Sequence, residues 1–508
     1  MSMTRIRAHG LPLDDKACYA AMQAHDVRFD GRFFCGVSST GIYCRPICRV
    51  RLPKEGNCTF FVSAAAAEAA GYRPCLRCRP ELAPGLAPVD SVPRLARSAA
   101  IMEEDCLTPR KISELATVLG ITDRHLRRVF FAEYGVSPVQ YLQTRRLLLA
   151  KSLLTDTQLT VTDVAMAAGF GSIRRFNDLF KKHYQLTPNE LRKNGQSMEA
   201  SNDEITLSLG YRPPYAWDSL ISFLAVRAIP GVESVAGDTY RRTAAITKGE
   251  RIHYGWISVA NRPAQNALSV TVATTLLPVL SRVLARIRLL FDVNCSPEKV
   301  YEKLATMNKL APDICVPGIR LPGCFDPFEM SVRAILGQQV TVKAAGTLAM
   351  RLVNLVGEKI HTPFEELAFA FPQPDRIRAL EGPIENHLQP LGITGGRARS
   401  ILALATALAT NSITLSYSAN PGEVMEKLRN LPGFGPWTVE YIAMRALGWP
   451  DAFPHTDYGV KKALSNRPPH EILTLSQTWS PWRSYATILL WNSLQNKPEV
   501  QKESCCTQ

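Results

Sequence analysis

The sequence lacks any run of about 18 apolar residues, the length that a membrane-spanning helix needs. The alanine-rich stretch Ala64–Ala70 is too short for that role and its side chains are too small. The first residues, MSMTRIRAHGLPLDDK, contain no apolar segment of the kind that a secretory signal carries. We therefore expect no membrane partner and a cytosolic location, where cysteine thiols stay reduced.

Acidic residues are scarce relative to basic ones. The 508 residues include 59 lysines and arginines against 45 aspartates and glutamates, a net charge of +14. This balance favours a polyanionic partner, most simply nucleic acid. A hydrophobic content of 46% with 20% charged residues is typical of folded protein rather than disorder. The length predicts several domains, roughly three or four, because one hydrophobic core stops growing well below it.

Thirteen cysteines in a reducing compartment indicate metal or thiolate chemistry rather than disulfides. Two close pairs have the spacing C-x3-C and C-x2-C and enclose a strand-like and an alanine-rich segment. The four members are Cys44, Cys48, Cys75 and Cys78. This arrangement is the usual frame of tetrahedral zinc, which can be purely structural. A zinc-bound thiolate nevertheless stays nucleophilic. The cysteines without such spacing are expected to be ordinary buried thiols, among them Cys18, Cys35, Cys58 and Cys106.

The stretch Phe29–Glu81, with its motifs TGIYCRPICRVR and YRPCLRCRPE, resembles the N-terminal domain of the bacterial Ada adaptive-response family. The resemblance implies irreversible methyl transfer from a DNA methylphosphotriester to one zinc-bound cysteine, which matches Cys44. The other three cysteines would be its fellow zinc ligands. Methylation removes one negative charge from a four-thiolate site, so affinity for DNA phosphates should rise. Arg45, Arg49 and Arg51 flank the first pair, and we expect Arg45 to help bind a phosphate.

An internal repeat follows. Ala116 and Phe131 are 15 positions apart, as are Ala165 and Phe180, and a glycine (Gly120 in the first copy) follows each alanine. A short helix, a glycine turn and a basic second helix indicate a helix-turn-helix unit. A solvated basic face would explain one copy alone, but duplication favours DNA binding. The second helices offer the arginines that we expect to contact DNA, Arg124, Arg128, Arg174 and Arg175, beside Arg127.

The span Pro109–Lys193 resembles the AraC-type DNA-binding domain, which implies two recognition helices in adjacent major-groove segments. The proline-rich stretch Pro80–Pro93 and the polar stretch Gly195–Glu204 predict linkers on either side. Beyond the second linker, alternating segments such as IHYGWISV predict an antiparallel sheet up to about Val316.

The stretch Ser219–Glu233 resembles the N-terminal domain of the AlkA-type 3-methyladenine DNA glycosylases. That resemblance implies that Phe223 reaches toward the lesion pocket, although a plain core role is equally open. With this part, the expected fold is multidomain α+β. It comprises a zinc domain (1–85), an all-α double helix-turn-helix domain (94–195), an antiparallel α+β domain (205–316) and an all-α helix-hairpin-helix domain (317–496).

The stretch from Leu431 to Asp457 combines a glycine turn, Gly433-Phe434-Gly435, with a proline that starts a helix. Such a turn exposes backbone amides that can bind a DNA phosphate. Trp437 and Tyr441 are four positions apart and share one face of that helix. Core packing of these aromatics is the alternative on spacing alone.

Two segments, Phe325–Ala345 and Trp479–Trp491, resemble the helix-hairpin-helix glycosylases, the same family as the hairpin. The resemblance implies a base pocket formed by Trp437, Tyr441, Tyr458 and Trp482. It also implies that the carboxylate of Asp457 stabilises an oxocarbenium-like transition state. Gln339 stands where the family often has a leucine wedge. His455, next but one to Asp457, is expected to hold the loop rather than to act as a base.

Three further absences narrow the chemistry. Members of the superfamily that cleave the strand use a lysine where this chain has Trp437, so a monofunctional glycosylase is expected. The last domain has no four-cysteine iron–sulfur loop, and no PCHR motif of the O6-methylguanine transferases occurs. The expected cofactors are one zinc ion and a monovalent cation at the hairpin.

The leading hypothesis joins excision of alkylated bases (3-methyladenine and 7-methylguanine) to phosphotriester methyl transfer that switches on transcription. It implies a monomeric, nucleoid-associated bacterial protein that binds damaged and promoter DNA and contacts RNA polymerase during activation. The alternative is a non-enzymatic zinc-containing regulator whose C-terminal domain only binds damaged DNA. Loss of base release in Asp457→Asn, with DNA binding intact, would distinguish the two.

Overall fold

The computed structural model describes residues 14–85, 112–119, 121–193, 203–417 and 419–495. Cys106, Gly120 and most of the two predicted linkers lie outside these residues, as do the outer limits of the first, second and last predicted domains. Among the described helices, none is both long and apolar enough to cross a bilayer.

The first region carries the four-cysteine motif on a small sheet. Its strands are β1 Phe34–Val37, β2 Ile42–Cys44, β3 Cys58–Phe61 and β4 Arg73–Pro74, in the order β3-β1-β2-β4. Its helices are α1 Asp15–Gln23 and α2 Ala64–Ala69. The side chains of Asp14 and Ser63 accept backbone N–H bonds at the start of these helices. The segment between the cysteine pairs therefore contains the predicted strand and alanine-rich helix.

Between residues 112 and 193, the part of the chain described after the zinc region, the structure contains six helices in two similar units. They are α3 Ile112–Val118, α4 Asp123–Tyr134, α5 Pro138–Asp156, α6 Val161–Ala167, α7 Ile173–Tyr184 and α8 Pro188–Lys193. Thr122 and Ser172 cap the second helix of each unit, and Gly135 and Gln185 end it with φ of 71° and 55°. The two capping residues are 50 positions apart, so the residue of the first unit that is equivalent to Phe180 is Phe130. Pairing Phe131 with Phe180 was wrong, because Phe131 is 52% exposed while Phe130 is fully buried.

The third region is the predicted antiparallel sheet. Its strands are β5 Glu204–Gly210, β6 Glu233–Ala236, β7 Thr239–Lys248, β8 Arg251–Arg262 and β9 Ala267–Ala273, in the order β5-β9-β8-β7-β6. Every pair is antiparallel. The helices of this region are α9 Trp217–Arg227, α10 Leu280–Leu290 and α11 Pro297–Leu304.

The last region is helical, as predicted, apart from a short hairpin of β10 Glu358–Lys359 and β11 Phe369–Ala370. Its first helices are α12 Pro327–Leu336, α13 Val342–Val356, α14 Pro374–Arg378, α15 Ile384–Leu388 and α16 Gly395–Ala409. The remaining ones are α17 Pro421–Arg429, α18 Pro436–Arg445, α19 Tyr458–Ala463, α20 Pro469–Ser476 and α21 Arg483–Gln495.

The buried apolar side chains do not follow the chain order of these regions. One continuous core joins the second helix-turn-helix unit to the sheet region and the helical region. The first unit forms a smaller core with Ala65 and Ala66 of α2, in the zinc region. The apolar core of the first unit therefore continues into the zinc region, and that of the second unit continues into the C-terminal half.

Candidate active site and zinc centre

The hairpin before α18 has the geometry that its glycines predict. Gly433 has φ of 80°, which favours glycine, and a Cβ there would lie 2.2 Å from Ser400 Oγ. That hydroxyl donates to the Pro432 carbonyl at 2.7 Å and so fixes the turn. Gly435 is the N-cap of α18 and gives no side-chain cap, and Pro436 follows at the first helical position. The first amides of α18 are left for an outside acceptor such as a phosphate.

Four aromatic side chains form a continuous surface, here called the aromatic wall. The rings of Trp437 and Tyr441 stack at 5.2 Å between centroids and 25° between planes. The ring centroid of Trp491, on α21, lies 6.2 Å from that of Tyr441 and 6.2 Å from that of Phe223. The planes of the Trp491 and Phe223 rings are nearly parallel, at 15°. Phe223 therefore brings α9 of the sheet region to the same surface as the hairpin helix.

The carboxylate of Asp457 lies against this wall and is held by three donors. The indole N–H of Trp437 donates to Oδ2 at 2.8 Å, and that of Trp491 donates to Oδ1 at 2.8 Å. The backbone N–H of Val460 also donates to Oδ1, at 3.0 Å, because Asp457 is the N-cap of α19. Fixed neutral donors orient both oxygens without neutralising the charge. The partly buried carboxylate can therefore act on positive charge that develops beside it.

Two arginines also touch the aromatic wall, Arg445, which is buried, and Arg227, which is half-buried. The Arg227 guanidinium carbon lies 3.7 Å from the Phe223 ring centroid, and that of Arg445 lies 4.9 Å from it. Burial lowers the pKa of Arg227 to about 10. Burial also raises the pKa of Tyr441, but Arg445 and Arg227 outweigh that effect and the net pKa is lowered. The face of the aromatic wall therefore already carries guanidinium groups in cation–π contact.

Two of the predicted pocket residues lie elsewhere. Tyr458 is 77% exposed and, among the described residues, its ring contacts none of the wall. Trp482 is buried edge-on against Tyr485 at 5.4 Å. Trp491, rather than Trp482, is the tryptophan of this segment that contacts Asp457 and Tyr441. The segment WSPWRSYATILLW contains three tryptophans, and only the helix register of α21 decides which of them points toward Asp457. The backbone N–H of His455 donates to the Phe453 carbonyl at 2.8 Å, inside the loop that carries Asp457.

The predicted wedge residue, Gln339, is exposed and has φ of 54° in the turn between α12 and α13. Its neighbour Gln338 was missed by the sequence reasoning. The side-chain amide nitrogen Nε2 of Gln338 donates to the Gly433 carbonyl at 2.9 Å and to Thr438 Oγ1 at 3.0 Å. The Gln338 carbonyl in turn accepts from Arg397. These bonds hold the turn between α12 and α13, which carries Gln339, against the hairpin before α18. The residues in contact are about a hundred positions apart in the sequence.

The four predicted zinc ligands converge. The sulfur atoms of Cys44, Cys48, Cys75 and Cys78 all lie within 4.8 Å of one another. Tetrahedral zinc with Zn–S bonds near 2.3 Å separates its sulfurs by about 3.8 Å, so this donor set fits the ion. Bound zinc would keep the four sulfurs deprotonated. The thiols of Cys18, Cys35 and Cys58 are buried and stand outside this set, as expected.

Arg45 does not face solvent. Its guanidinium is buried and donates to the Asp30 carboxylate from Nε at 2.8 Å and also from Nη2. Nη1 donates to the Cys78 carbonyl at 3.1 Å, and the Arg45 backbone N–H donates to Cys78 Sγ at 3.3 Å. The Arg45 side chain, predicted to help bind a phosphate, is therefore not available for that contact, because Asp30 and the second cysteine pair hold it. Arg49 and Arg51, by contrast, are exposed.

The four arginines of the helix-turn-helix region that are predicted to contact DNA are all exposed. Arg124 and Arg128 lie on α4, and Arg174 and Arg175 lie on α7. Arg127 is also exposed, but its guanidinium pairs with Asp123 at 2.9 Å. The two second helices thus present basic side chains outward while Phe130 and Phe180 anchor them inward.

A buried carboxylate links the zinc region to the helix-turn-helix region. Glu68 of α2 accepts from Tyr43 Oη at 3.0 Å and from Thr144 Oγ1 at 2.8 Å, with His183 Nδ1 at 3.6 Å. Burial raises the pKa of Glu68 to about 8, although these hydroxyl donors oppose it. Tyr43 directly precedes Cys44, the predicted methyl acceptor. The Glu68 carboxylate therefore binds a residue that is adjacent in sequence to a predicted zinc ligand.

The raised pKa predicts a pH-dependent stability. An unfolded glutamate loses its proton near 4.5, whereas Glu68 keeps its proton up to about 8 in the folded chain. Stability should therefore fall by up to about 1.4 kcal/mol per pH unit between these values. Glu68→Gln should flatten that slope in urea unfolding followed by circular dichroism. The exposed Glu55→Gln is the control, and an unchanged slope in Glu68→Gln would contradict the assignment.

Comparison with known proteins identifies four segments. The metal-binding domain of Ada matches residues 17–81, and a helix-turn-helix domain matches 115–194. The AlkA N-terminal domain matches 206–326, and the HhH-GPD superfamily of base excision DNA repair proteins matches 332–467. The segments agree with the zinc cluster, the paired helical units, the sheet and the hairpin described above.

Three relatives are similar over long stretches. The probable bifunctional transcriptional activator/DNA repair enzyme AlkA of Mycobacterium tuberculosis (strain ATCC 25618 / H37Rv) is 37% identical over 494 residues, covering 95% of this chain and 97% of that protein. DNA-3-methyladenine glycosylase 2 of Escherichia coli (strain K12) is 35% identical, covering 56% and 96%. The bifunctional transcriptional activator/DNA repair enzyme AdaA of Bacillus subtilis (strain 168) is 30% identical, covering 36% and 85%.

The fold and the two sites define a DNA repair protein in which an Ada-type zinc domain and a helix-turn-helix region precede a helix-hairpin-helix DNA glycosylase. Its partner is DNA, as the charge predicted. The chain belongs to the family of bifunctional transcriptional activator/DNA repair enzymes AlkA, and it serves DNA alkylation repair and its regulation. The family and the glycosylase activity predicted from the sequence are thereby confirmed, and the non-enzymatic alternative is not supported.

Proposed function

We propose that the C-terminal half is a monofunctional glycosylase that hydrolyses the N-glycosidic bond of alkylated bases of the 3-methyladenine and 7-methylguanine type. The observation that carries this proposal is the Asp457 carboxylate, oriented by two indole N–H groups at the edge of the aromatic wall. Such a charge stabilises the oxocarbenium-like sugar that forms as the base departs.

The reaction needs little acid catalysis. A methylated purine of this kind is already cationic, so it takes the electrons of the broken C–N bond and leaves neutral. Water adds to C1′ and its proton passes to solvent. The nucleotide must first leave the duplex, with Gln339 proposed to fill the gap and the amides beyond Gly433 and Gly435 proposed to hold a phosphate. A monovalent cation at that hairpin stays part of the proposal.

In the N-terminal half, we propose Cys44 as the acceptor in a methyl transfer. The sulfur forms a bond to the methyl carbon, and the phosphotriester oxygen keeps the electron pair of the broken C–O bond. The loss of one thiolate charge then favours DNA, which Arg124 and Arg128 on α4 and Arg174 and Arg175 on α7 would contact. A monomer that contacts RNA polymerase during activation completes the proposal.

Trapping with borohydride tests the monofunctional mechanism. A lyase forms a Schiff base between a lysine and C1′, which borohydride reduces to a stable protein–DNA adduct. Because Trp437 stands where such a lysine would be, we expect free base from methylated DNA, uncut abasic strands and no adduct. The matched variant Trp437→Lys, which places a lysine at that position, is the positive comparison for trapping. A wild-type adduct would show that another lysine serves as nucleophile.

A further inference from the structure

A polar interface joins the zinc region to the sheet region, and we call it the docking seam. Its centre is Arg212, which is 1% exposed. Arg212 Nε donates to the Asp30 carbonyl at 3.0 Å, and Nη2 donates to the Gly85 carbonyl at 2.8 Å. Nη1 donates to the Asn294 carbonyl at 3.2 Å, on the C-terminal side. One buried guanidinium therefore binds backbone carbonyls of both halves, and removing its acceptors would leave a buried charge poorly satisfied.

Other contacts of the docking seam are equally close. The Gly85 backbone N–H donates to Asn294 Oδ1 at 3.0 Å, and Arg32 Nη2 donates to Ser296 Oγ at 2.9 Å. At the end of β5, a Cβ on Gly210 would lie 2.1 Å from the Leu82 carbonyl oxygen. The two backbones are therefore in direct contact, and the absence of a side chain at Gly210 permits this.

The docking seam also reaches the zinc site. Asp30 offers its carbonyl to Arg212 and its carboxylate to Arg45, which lies between two zinc-ligand cysteines. Arg45 in turn donates to Cys78 through its backbone and side chain. On the other side, the Arg212 carbonyl accepts from Arg320 Nη2 at 2.6 Å. A continuous series of hydrogen bonds thus connects a zinc-ligand sulfur to the core of the C-terminal half.

We infer that the glycosylase half packs on the zinc region through the docking seam. We infer also that zinc held by the four cysteines stabilises the glycosylase half against unfolding. Zinc orders the loops that carry its ligands. Arg45 and Asp30 are parts of those loops or bonded to them, so ordering them favours the carbonyl position that Arg212 binds. The inference concerns stability and placement, and it does not depend on either proposed reaction.

The positions of the tryptophans make this inference measurable in the full chain. All seven tryptophans lie between Trp217 and Trp491, so their fluorescence reports only on the C-terminal half. Zinc release is followed separately with a colorimetric chelator. In the wild-type protein, stripping zinc should lower the tryptophan-monitored unfolding midpoint by a few degrees, on the order of 2–4 °C.

The substitution Gly210→Ala inserts a methyl group into the docking seam, where the three nearest atoms all belong to Leu82. It should lower the midpoint of the zinc-loaded protein and remove the effect of stripping zinc. The same change at Gly56, which has nothing within 4 Å of the added Cβ, should behave as wild type. Arg212→Lys, which keeps the charge but loses the planar fork, is the second seam variant if Gly210→Ala does not fold.

Two results would overturn the inference. One is a wild-type midpoint that does not change when zinc is removed. The other is a zinc effect that persists undiminished in the folded seam variants, because zinc would then act by another route.

Discussion

Asp457→Asn is expected to lower the rate of base release from methylated DNA by about 10²–10³-fold, the loss typical of removing one preorganised electrostatic group. The substitution removes the charge, and its amide group would face an indole N–H that now donates to a carboxylate oxygen at 2.8 Å. The measurement is single-turnover release of 3-methyladenine with saturating enzyme. Affinity for the same DNA, from fluorescence anisotropy, should change little.

Trp491→Phe is the matched control for Asp457→Asn. It keeps a ring beside Phe223 but removes one donor to Asp457, so it should cost less than the loss of the charge. An Asp457→Asn protein that releases base at the wild-type rate would show that another group carries the chemistry. A protein that no longer binds DNA would show that Asp457 acts on binding instead.

Cys44→Ala is expected to abolish methyl uptake from DNA that carries methylphosphotriesters. Intact-protein mass spectrometry should find one added methyl group on the wild-type chain and none on the variant, with the methyl located at Cys44 by fragmentation. Three thiolates remain in the variant, so zinc content is measured in parallel.

The control for Cys44→Ala is Cys58→Ala, which removes a buried thiol outside the zinc cluster. It should accept a methyl group as the wild type does. Methylation of Cys48, Cys75 or Cys78 in the wild type would show that methyl transfer occurs but that Cys44 is not the acceptor. No methylation at all, with zinc retained, would leave the centre a structural role only.

Local patterns were enough to predict much of this chain. The two cysteine pairs, the alternation in β5 to β9 and the Gly-x-Gly turn each depend on residues close in sequence, and each forms the element that its pattern predicts. The repeated helical units were also recognisable. Their pairing failed by one residue at Phe131, because a period in sequence does not show which neighbouring aromatic points inward.

Contacts between distant residues were beyond such patterns. Nothing near Gln338 indicates that its amide binds the Gly433 carbonyl, and nothing near Arg212 indicates its bond to Asp30. The pattern at Arg45 is misleading for the same reason, because a basic residue beside thiolates suggests a phosphate contact, whereas the distant Asp30 holds its guanidinium. Trp491 and Trp482 lie on one short segment, and only the packed helix distinguishes them.

We expect one chain to perform two independent reactions on alkylated DNA, one at Asp457 and one at Cys44. The most direct measurement incubates one methylated DNA with the wild type, Asp457→Asn and Cys44→Ala, and quantifies released base and protein-bound methyl in the same samples. We expect Asp457→Asn to accept methyl while releasing base far more slowly than the wild type, and Cys44→Ala to release base without accepting methyl. Two results would contradict this expectation. One is a folded variant that loses both products, and the other is that both variants still give both products as the wild type does.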